Sequence, residues 1–140
     1  MRDFASSVAA IVIAVMPLSS NASSRFVRVQ TPQPDTLAID ESSIRKSDDV
    51  ITFTYVLDVP AVAEGVSVPA GVKSNEVEMA IDCGRNTYSL LRIIAHTGPG
   101  ATGNIATSYV VPAHERQIEA IPSKSTFAYL AAHVCGTQSK

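Results

Sequence analysis

The chain has 140 residues, with 13 acidic and 11 basic side chains and a formal net charge of −2. It has no basic cluster, which argues against nucleic-acid binding and against polybasic attraction to anionic lipid. Hydrophobic residues make up 46% and charged residues 17% of the chain. This composition predicts a single globular domain.

The N-terminal segment is typical of a secretory signal peptide. Residues 8–15 form an uninterrupted apolar run after Arg2, too short to cross a bilayer, and Pro17 ends it. The small residues up to Ala22 predict cleavage before Ser23, so residues 1–22 form the leader and residues 23–140 the domain. No cysteine lies near the cleavage site, so we expect export without a lipid anchor. The alternative is a buried N-terminal strand or helix.

Strand patterns follow in the first half of the domain. Residues 25–29 predict a short edge strand that ends before Pro32, and residues 36–40 predict another extended piece. Residues 50–59 alternate most clearly, after a turn at Asp48 and Asp49. One face of that strand carries Ile51, Phe53, Tyr55 and Leu57. Residues 60–73 have no period and predict a loop that is long for a compact domain.

The second half continues with strands. Residues 75–83 place Val77, Met79, Ile81 and Cys83 on one face and Glu76, Glu78 and Asp82 on a solvent-facing one. Residues 87–95 predict a strand whose inward face is ambiguous. Residues 98–104 predict a hairpin loop, residues 105–111 a β-branched strand, and residues 114–121 one more strand.

A helix pattern closes the chain. Ser123 is the predicted N-cap of a helix from Lys124 to Val134, and Gly136 the predicted left-handed C-terminal cap. The buried stripe comprises Phe127, Leu130, Ala131, Val134 and Cys135. Strands followed by a terminal helix predict an α+β domain, with an antiparallel sheet and the helix packed on one face.

Cys83 and Cys135 are the two cysteines of the chain. Each falls on the apolar face of its predicted element, and an even cysteine count in an exported chain favours a disulfide. The bond would tether the helix to the sheet and contribute about 4 kcal/mol in the chain-entropy model. The alternative is two free buried thiols.

No pattern predicts a catalytic, cofactor-binding or metal site. Gly98, Gly100 and Gly103 match the dinucleotide fingerprint, but strand-forming residues follow where that motif requires a helix. His96, His114 and His133 lack metal-ligand spacing. Glu76 and Glu78 are interpreted as solubilising residues on a wet strand face, and a triad of distant residues stays open.

Three short motifs carry a family resemblance, in order along the chain. They are Asp40-Glu41-Ser42-Ser43-Ile44, then Ala80-Ile81-Asp82-Cys83 with Tyr88, then Ile121-Pro122-Ser123 leading to Val134-Cys135. Together they resemble the surface-adhesin E family of Gram-negative bacteria. The resemblance implies an antiparallel sheet of about six strands with a disulfide-tethered C-terminal helix, which agrees with the pattern above.

The same resemblance implies adhesion to host matrix proteins or to the serum protein vitronectin. We therefore expect an exported, adhesin-like, non-catalytic binding protein, located in the periplasm, secreted or at the cell surface. The alternative is a periplasmic structural or envelope-stress protein without a dedicated host ligand. Binding is expected at residues 60–73 and 98–104, and pairing of two copies through residues 105–111 would give a homodimer.

Overall fold

The computed structural model describes residues 25–31, 37–58 and 71–136. These residues form one antiparallel sheet and one α-helix, as predicted. The elements are β1 (Phe26–Arg28), β2 (Leu37–Ser47), β3 (Val50–Asp58), β4 (Ser74–Asp82), β5 (Thr87–His96), β6 (Ile105–Val110), β7 (Glu119–Ala120) and α1 (Thr126–Gly136). The first six strands are neighbours in chain order, and β7 pairs with β5 at Thr87 and Tyr88. The predicted leader and residues 60–70 of the predicted loop lie outside the described residues.

The core lies between one face of this sheet and α1. The β3–β4 register sets Ile51 opposite Ile81 and Phe53 opposite Met79, and all four are at most 1% exposed. From the helix, Leu130, Ala131 and Val134 complete the same cluster. Each of these side chains except the smaller Ala131 contributes about 1.5–3 kcal/mol when it is buried completely. The predicted inward faces of β3 and β4 and the apolar stripe of α1 are therefore confirmed.

A β-bulge explains why the inward face of β5 is ambiguous in the sequence. Glu78 pairs with Arg92 while the next residue, Met79, pairs with Leu90, so Leu91 is an extra residue in β5. The bulge reverses the side-chain alternation. Leu90 and Ile93 can therefore both pack against the core, although they differ by an odd number of positions.

The start and end of α1 differ from the prediction. The helix begins at Thr126, and the hydroxyl of Ser125, rather than Ser123, accepts a hydrogen bond from the amide of Ala128 at 3.2 Å. Lys124 adopts a left-handed conformation with φ 59°, which a continuing helix could not contain. Gly136 is the last helical residue and is not among the residues with positive φ, so the predicted left-handed cap is wrong.

The predicted strand over residues 114–121 is mostly replaced by a turn. Residues Ala113–Glu115 form a 3₁₀ turn in which the amide of Glu115 donates to the carbonyl of Pro112 at 2.9 Å. Extended pairing returns at Glu119–Ala120, where the strand is two residues long. The turn at Pro112 directs the chain away from β6 and back along β5.

The Asp40-Glu41-Ser42-Ser43 motif forms an irregularity in β2. Asp40 pairs with Thr54 and Arg45 with Thr52, so four residues of β2 stand opposite Phe53. The hydroxyl of Ser43 accepts from the amide of Thr54 at 2.8 Å and donates to the carbonyl of Asp40 at 2.6 Å. The serine side chain thus takes the place of a backbone partner in the ladder.

The predicted disulfide between Cys83 and Cys135 is present, with a Cα–Cα distance of 5.9 Å. It joins the residue after β4 to the last turn of α1. A second link lies beside it, because Nε2 of His133 is 3.2 Å from a carboxylate oxygen of Glu41 in the β2 irregularity. The C-terminal half of the helix is therefore attached to two strands.

Candidate binding surface

The hairpin loop of residues 98–104 connects β5 to β6, as predicted, and its backbone is tightly folded. The amide of Thr97 donates to the carbonyl of Asn104, and the amide of Gly98 to the carbonyl of Thr102, both at 2.9 Å. Gly103 has φ +76°, and a Cβ there would lie 2.8 Å from the amide nitrogen of Gly98. These glycines permit a close backbone approach, which accounts for their fingerprint-like spacing without a phosphate ligand.

Two side chains from the last rung of the β3–β4 ladder hold this hairpin in place. Asp58 and Ser74 are direct partners in the register. The fully buried hydroxyl of Ser74 donates to the carbonyl of Gly98 at 2.6 Å and accepts from the amide of Ala101 at 2.9 Å. Asp58 accepts from the amide of Gly100 at 2.7 Å. The hairpin is thus attached to the sheet at three backbone positions and presents a preorganised surface.

A charged cluster lies on the sheet face opposite α1. Glu76 uses both carboxylate oxygens: one is 2.5 Å from Nη2 of Arg25 and the other 3.0 Å from Nε2 of His96. Arg25 also lies 3.7 Å from a carboxylate oxygen of Asp40, and its guanidinium is 4.7 Å from the ring centroid of Phe26. The cluster joins β4 and β5 to the residue before β1.

The cluster corrects the interpretation of Glu76 as a solubilising residue. Its side chain is 11% exposed, whereas the side chain of Glu78, two residues along the same face, is 35% exposed. Glu78 pairs with Arg92 at 3.4 Å. This face of the sheet is only partly exposed to solvent, because Arg25 and His96 cover it around Glu76. The other ring nitrogen of His96, Nδ1, is buried and has no hydrogen-bond partner within the described part of the chain.

A matched pair of variants tests how much this cluster contributes to the stability of the fold. We expect Glu76→Gln to lower the free energy of unfolding by about 1–3 kcal/mol, since two charge-assisted hydrogen bonds lose their acceptor charge. Glu78→Gln removes the same charge from the same face at a more exposed site, and its expected cost is below about 1 kcal/mol. Urea unfolding of both variants provides the measurement. Equal losses would show that the cluster adds nothing beyond a surface ion pair.

The other two histidines contact different carboxylates. His133 contacts Glu41, and His114 lies 3.7 Å from a carboxylate oxygen of Glu115 on an exposed turn. Across the described ranges, no group of three histidine, cysteine or acidic side chains is arranged to hold a metal ion.

A small cleft beside β6 carries tyrosine and glutamate side chains. Tyr88 donates a hydrogen bond to Glu119 at 2.7 Å, and Tyr109 donates to Glu115 at 2.9 Å. Each bond raises the pKa of its tyrosine, because only the protonated phenol can donate it, and the nearby carboxylate also disfavours the phenolate. Tyr88 also stacks on Phe127, with ring centroids 4.2 Å apart. The pairs fix the segment between β6 and β7 on the sheet.

Comparison with known proteins identifies the family. The model of the surface-adhesin protein E family matches residues 26–136. This chain belongs to that family. The match includes the hairpin, both cysteines and every residue of the charged cluster except Arg25. The protein is therefore adhesin-like, and the family comprises bacterial surface or exported proteins. A search of curated proteins finds no match.

Solved structures of the family show the same fold. One crystal form of Haemophilus influenzae protein E has 15% identity to this chain and a TM-score of 0.62, and the match covers 84% of this chain and 91% of that one. Protein E from non-typeable Haemophilus influenzae has 13% identity and a TM-score of 0.57, with coverage of 84% and 79%. At such identities the likeness concerns the fold. Among the described residues, no helix has the length and apolar character needed to cross a membrane.

The sequence patterns located the hairpin but not the residues that support it. Ser74 and Asp58, which support the hairpin, stand at strand ends, and Asp40 of the charged cluster stands at the β2 irregularity. Alternation of polar and apolar residues does not predict the partners of side chains at such positions. Arg25 and Glu76 are 51 positions apart, and no local spacing connects them. One weak feature of the sequence could have predicted the burial of His96: it stands at the end of an apolar run.

Proposed function

We propose that this chain is an exported, non-catalytic adhesin that binds a host matrix or serum protein. Family membership over residues 26–136 carries the proposal. The hydrogen-bonded hairpin supports it, because loops held rigidly on a sheet are common sites of binding. Residues 1–22 are proposed as a cleaved leader, and display at the cell surface rather than retention in the periplasm is part of the same proposal.

Capture on immobilised vitronectin and laminin tests the binding function. We expect the mature protein to bind at least one of them saturably, with no binding to an albumin-coated surface. Replacing residues 62–72 with a Gly/Ser linker is expected to weaken capture with little change in the melting temperature. Absence of saturable binding, together with recovery of the protein solely in the periplasmic fraction, would favour the envelope-protein alternative.

We also propose that two copies pair through β6. All six residues of β6 are exposed and uncharged, and Ile105, Tyr109 and Val110 are each more than half exposed. The outer edge of β6 has no strand partner among the described residues, and no charge or proline within it opposes pairing.

Sedimentation velocity tests this pairing. Thr107→Lys places a charge in the middle of the edge and is expected to convert a dimer into a monomer. Ser47→Lys adds the same charge at the exposed end of β2 and should leave the dimer intact. A monomeric wild-type protein at high concentration would contradict the proposal.

A further inference from the structure

A groove of about 330 Å³ crosses the sheet face opposite α1, between β1 and the hairpin. Its position follows from the register, in which β1, β2 and β3 place alternate residues on this face. The floor consists of Ala38 and Val56, one wall of Phe26 and Arg28, and the other wall of Asp58 and Pro99.

The floor of the groove is apolar, whereas polar side chains lie next to it on the same face. Along β3, Thr52 and Thr54 precede Val56 on this face, and Glu76 and Glu78 occupy the neighbouring strand. Val56 is 2% exposed, so the floor lies deep. An apolar side chain is the group that such a floor accommodates best, since water there gains few hydrogen bonds.

Arg28 supplies positive charge at one wall. Arg25, Arg85 and Arg92 each pair with a carboxylate. Exposed Arg28 has no carboxylate partner among the described residues. At the opposite wall, the carboxylate of Asp58 keeps its negative charge and is held at the hairpin by a hydrogen bond from the amide of Gly100. The two walls carry opposite charges. The groove therefore attracts an anionic group at the Arg28 side, where a guanidinium can bind a carboxylate through two hydrogen bonds.

Both walls are fixed before any ligand arrives. The Arg25–Glu76–His96 cluster holds the start of β1, and Ser74 and Asp58 hold the hairpin. A groove with rigid walls requires little ordering when it binds, which lowers the entropic cost of association.

We propose that this groove receives an apolar side chain flanked by a carboxylate, from an extended acidic segment of a partner protein, with the carboxylate paired to Arg28. The inference rests on the proposed binding function and identifies the chemistry of the partner segment. Contacts from a second copy of this chain are the competing occupant.

Binding of matched peptides to the mature protein tests the groove directly. The probe is a short fluorescent peptide of alternating Leu and Glu, and its counterpart has Gln in place of Glu. We expect the Glu peptide to bind the wild type in a salt-sensitive manner and the Gln peptide to bind at least about tenfold more weakly, which corresponds to about 1.4 kcal/mol. Arg28→Gln should weaken the Glu peptide to the same extent, while Arg28→Lys keeps part of the affinity.

Arg85→Gln is the matched control, because its side chain is 82% exposed at the turn after β4, far from the groove. Equal affinity of wild type, Arg28→Gln and Arg85→Gln for the Glu peptide would overturn the inference. It would also be overturned if Thr107→Lys, and not Arg28→Gln, weakened binding of the peptide, because the peptide would then bind at β6. Capture on vitronectin and laminin is measured in parallel. If the wild type is not captured, the proposed function fails. If the wild type is captured and Arg28→Gln is captured equally well, the groove assignment fails while the proposed binding function stands.

Discussion

A Cys135→Ser variant is expected to lose about 2–5 kcal/mol of unfolding free energy. The bond joins residues 52 positions apart, so it removes many open conformations from the unfolded chain. In the native state it also holds the last turn of α1, whose other attachments include the packing of Leu130 and Val134 and the contact between His133 and Glu41. Because small domains have about 5–15 kcal/mol of total stability, this loss is a large fraction.

Two controls separate loss of the bond from other effects. The double variant Cys83→Ser/Cys135→Ser carries no free thiol and should unfold with the same free energy as the single variant. Alkylation of the wild type without reductant, followed by mass spectrometry, should label neither cysteine. Labelling of both thiols under oxidising conditions would contradict the disulfide and the tether it provides.

Alternation and helical spacing predicted the architecture because burial imposes a strict period. Phe53 and Met79 lie on the faces that periods of two assigned to them, and Leu130 and Val134 lie on the stripe that a period of 3.6 assigned. The same reasoning placed Cys83 and Cys135 on facing apolar surfaces. These predictions did not require knowing which strands pair or in which register.

Irregularities account for the differences. One extra residue at Leu91 shifts the face of β5, and four residues of β2 stand opposite one residue of β3. Periodicity cannot place such insertions, because they depend on side-chain bonds such as Ser43 to Thr54. The helix start moved for a similar reason: Ser123 and Ser125 are both adequate caps, and the left-handed turn at Lys124 selects the second.

The sequence predicted the candidate site as a loop, and the structure shows a hairpin that is hydrogen-bonded to the sheet. Residues 98–104 are rich in glycine, so the hairpin was predictable, while its attachment through Ser74 and Asp58 depends on strands far away in the sequence. Glu76 shows the same limit. An alternating acidic residue is normally solvated, and only the approach of Arg25 and His96 changes its environment.

A Phe53→Ala variant is expected to lose about 3–5 kcal/mol of unfolding free energy. Phe53 is 1% exposed at the centre of the sheet, opposite Met79 and with its ring centroid 6.3 Å from that of Tyr55. Neighbours on paired strands cannot move in to fill the space, so the variant keeps a cavity in addition to the lost burial. Ile118→Ala, at a residue that is 74% exposed, should change stability by less than about 0.5 kcal/mol.

Denaturant unfolding of Phe53→Ala alone and combined with Cys135→Ser measures how much of this core depends on the tethered helix. If loss of the disulfide lets α1 move off the sheet, Phe53 is already partly uncovered, and its replacement should cost less in the combined variant than in the wild type. Coupling of this kind is expected for residues that share one packed cluster. Strict additivity of the two losses would show instead that α1 stays packed on Leu130 and Val134 without its disulfide, and that the bond acts through the unfolded chain alone.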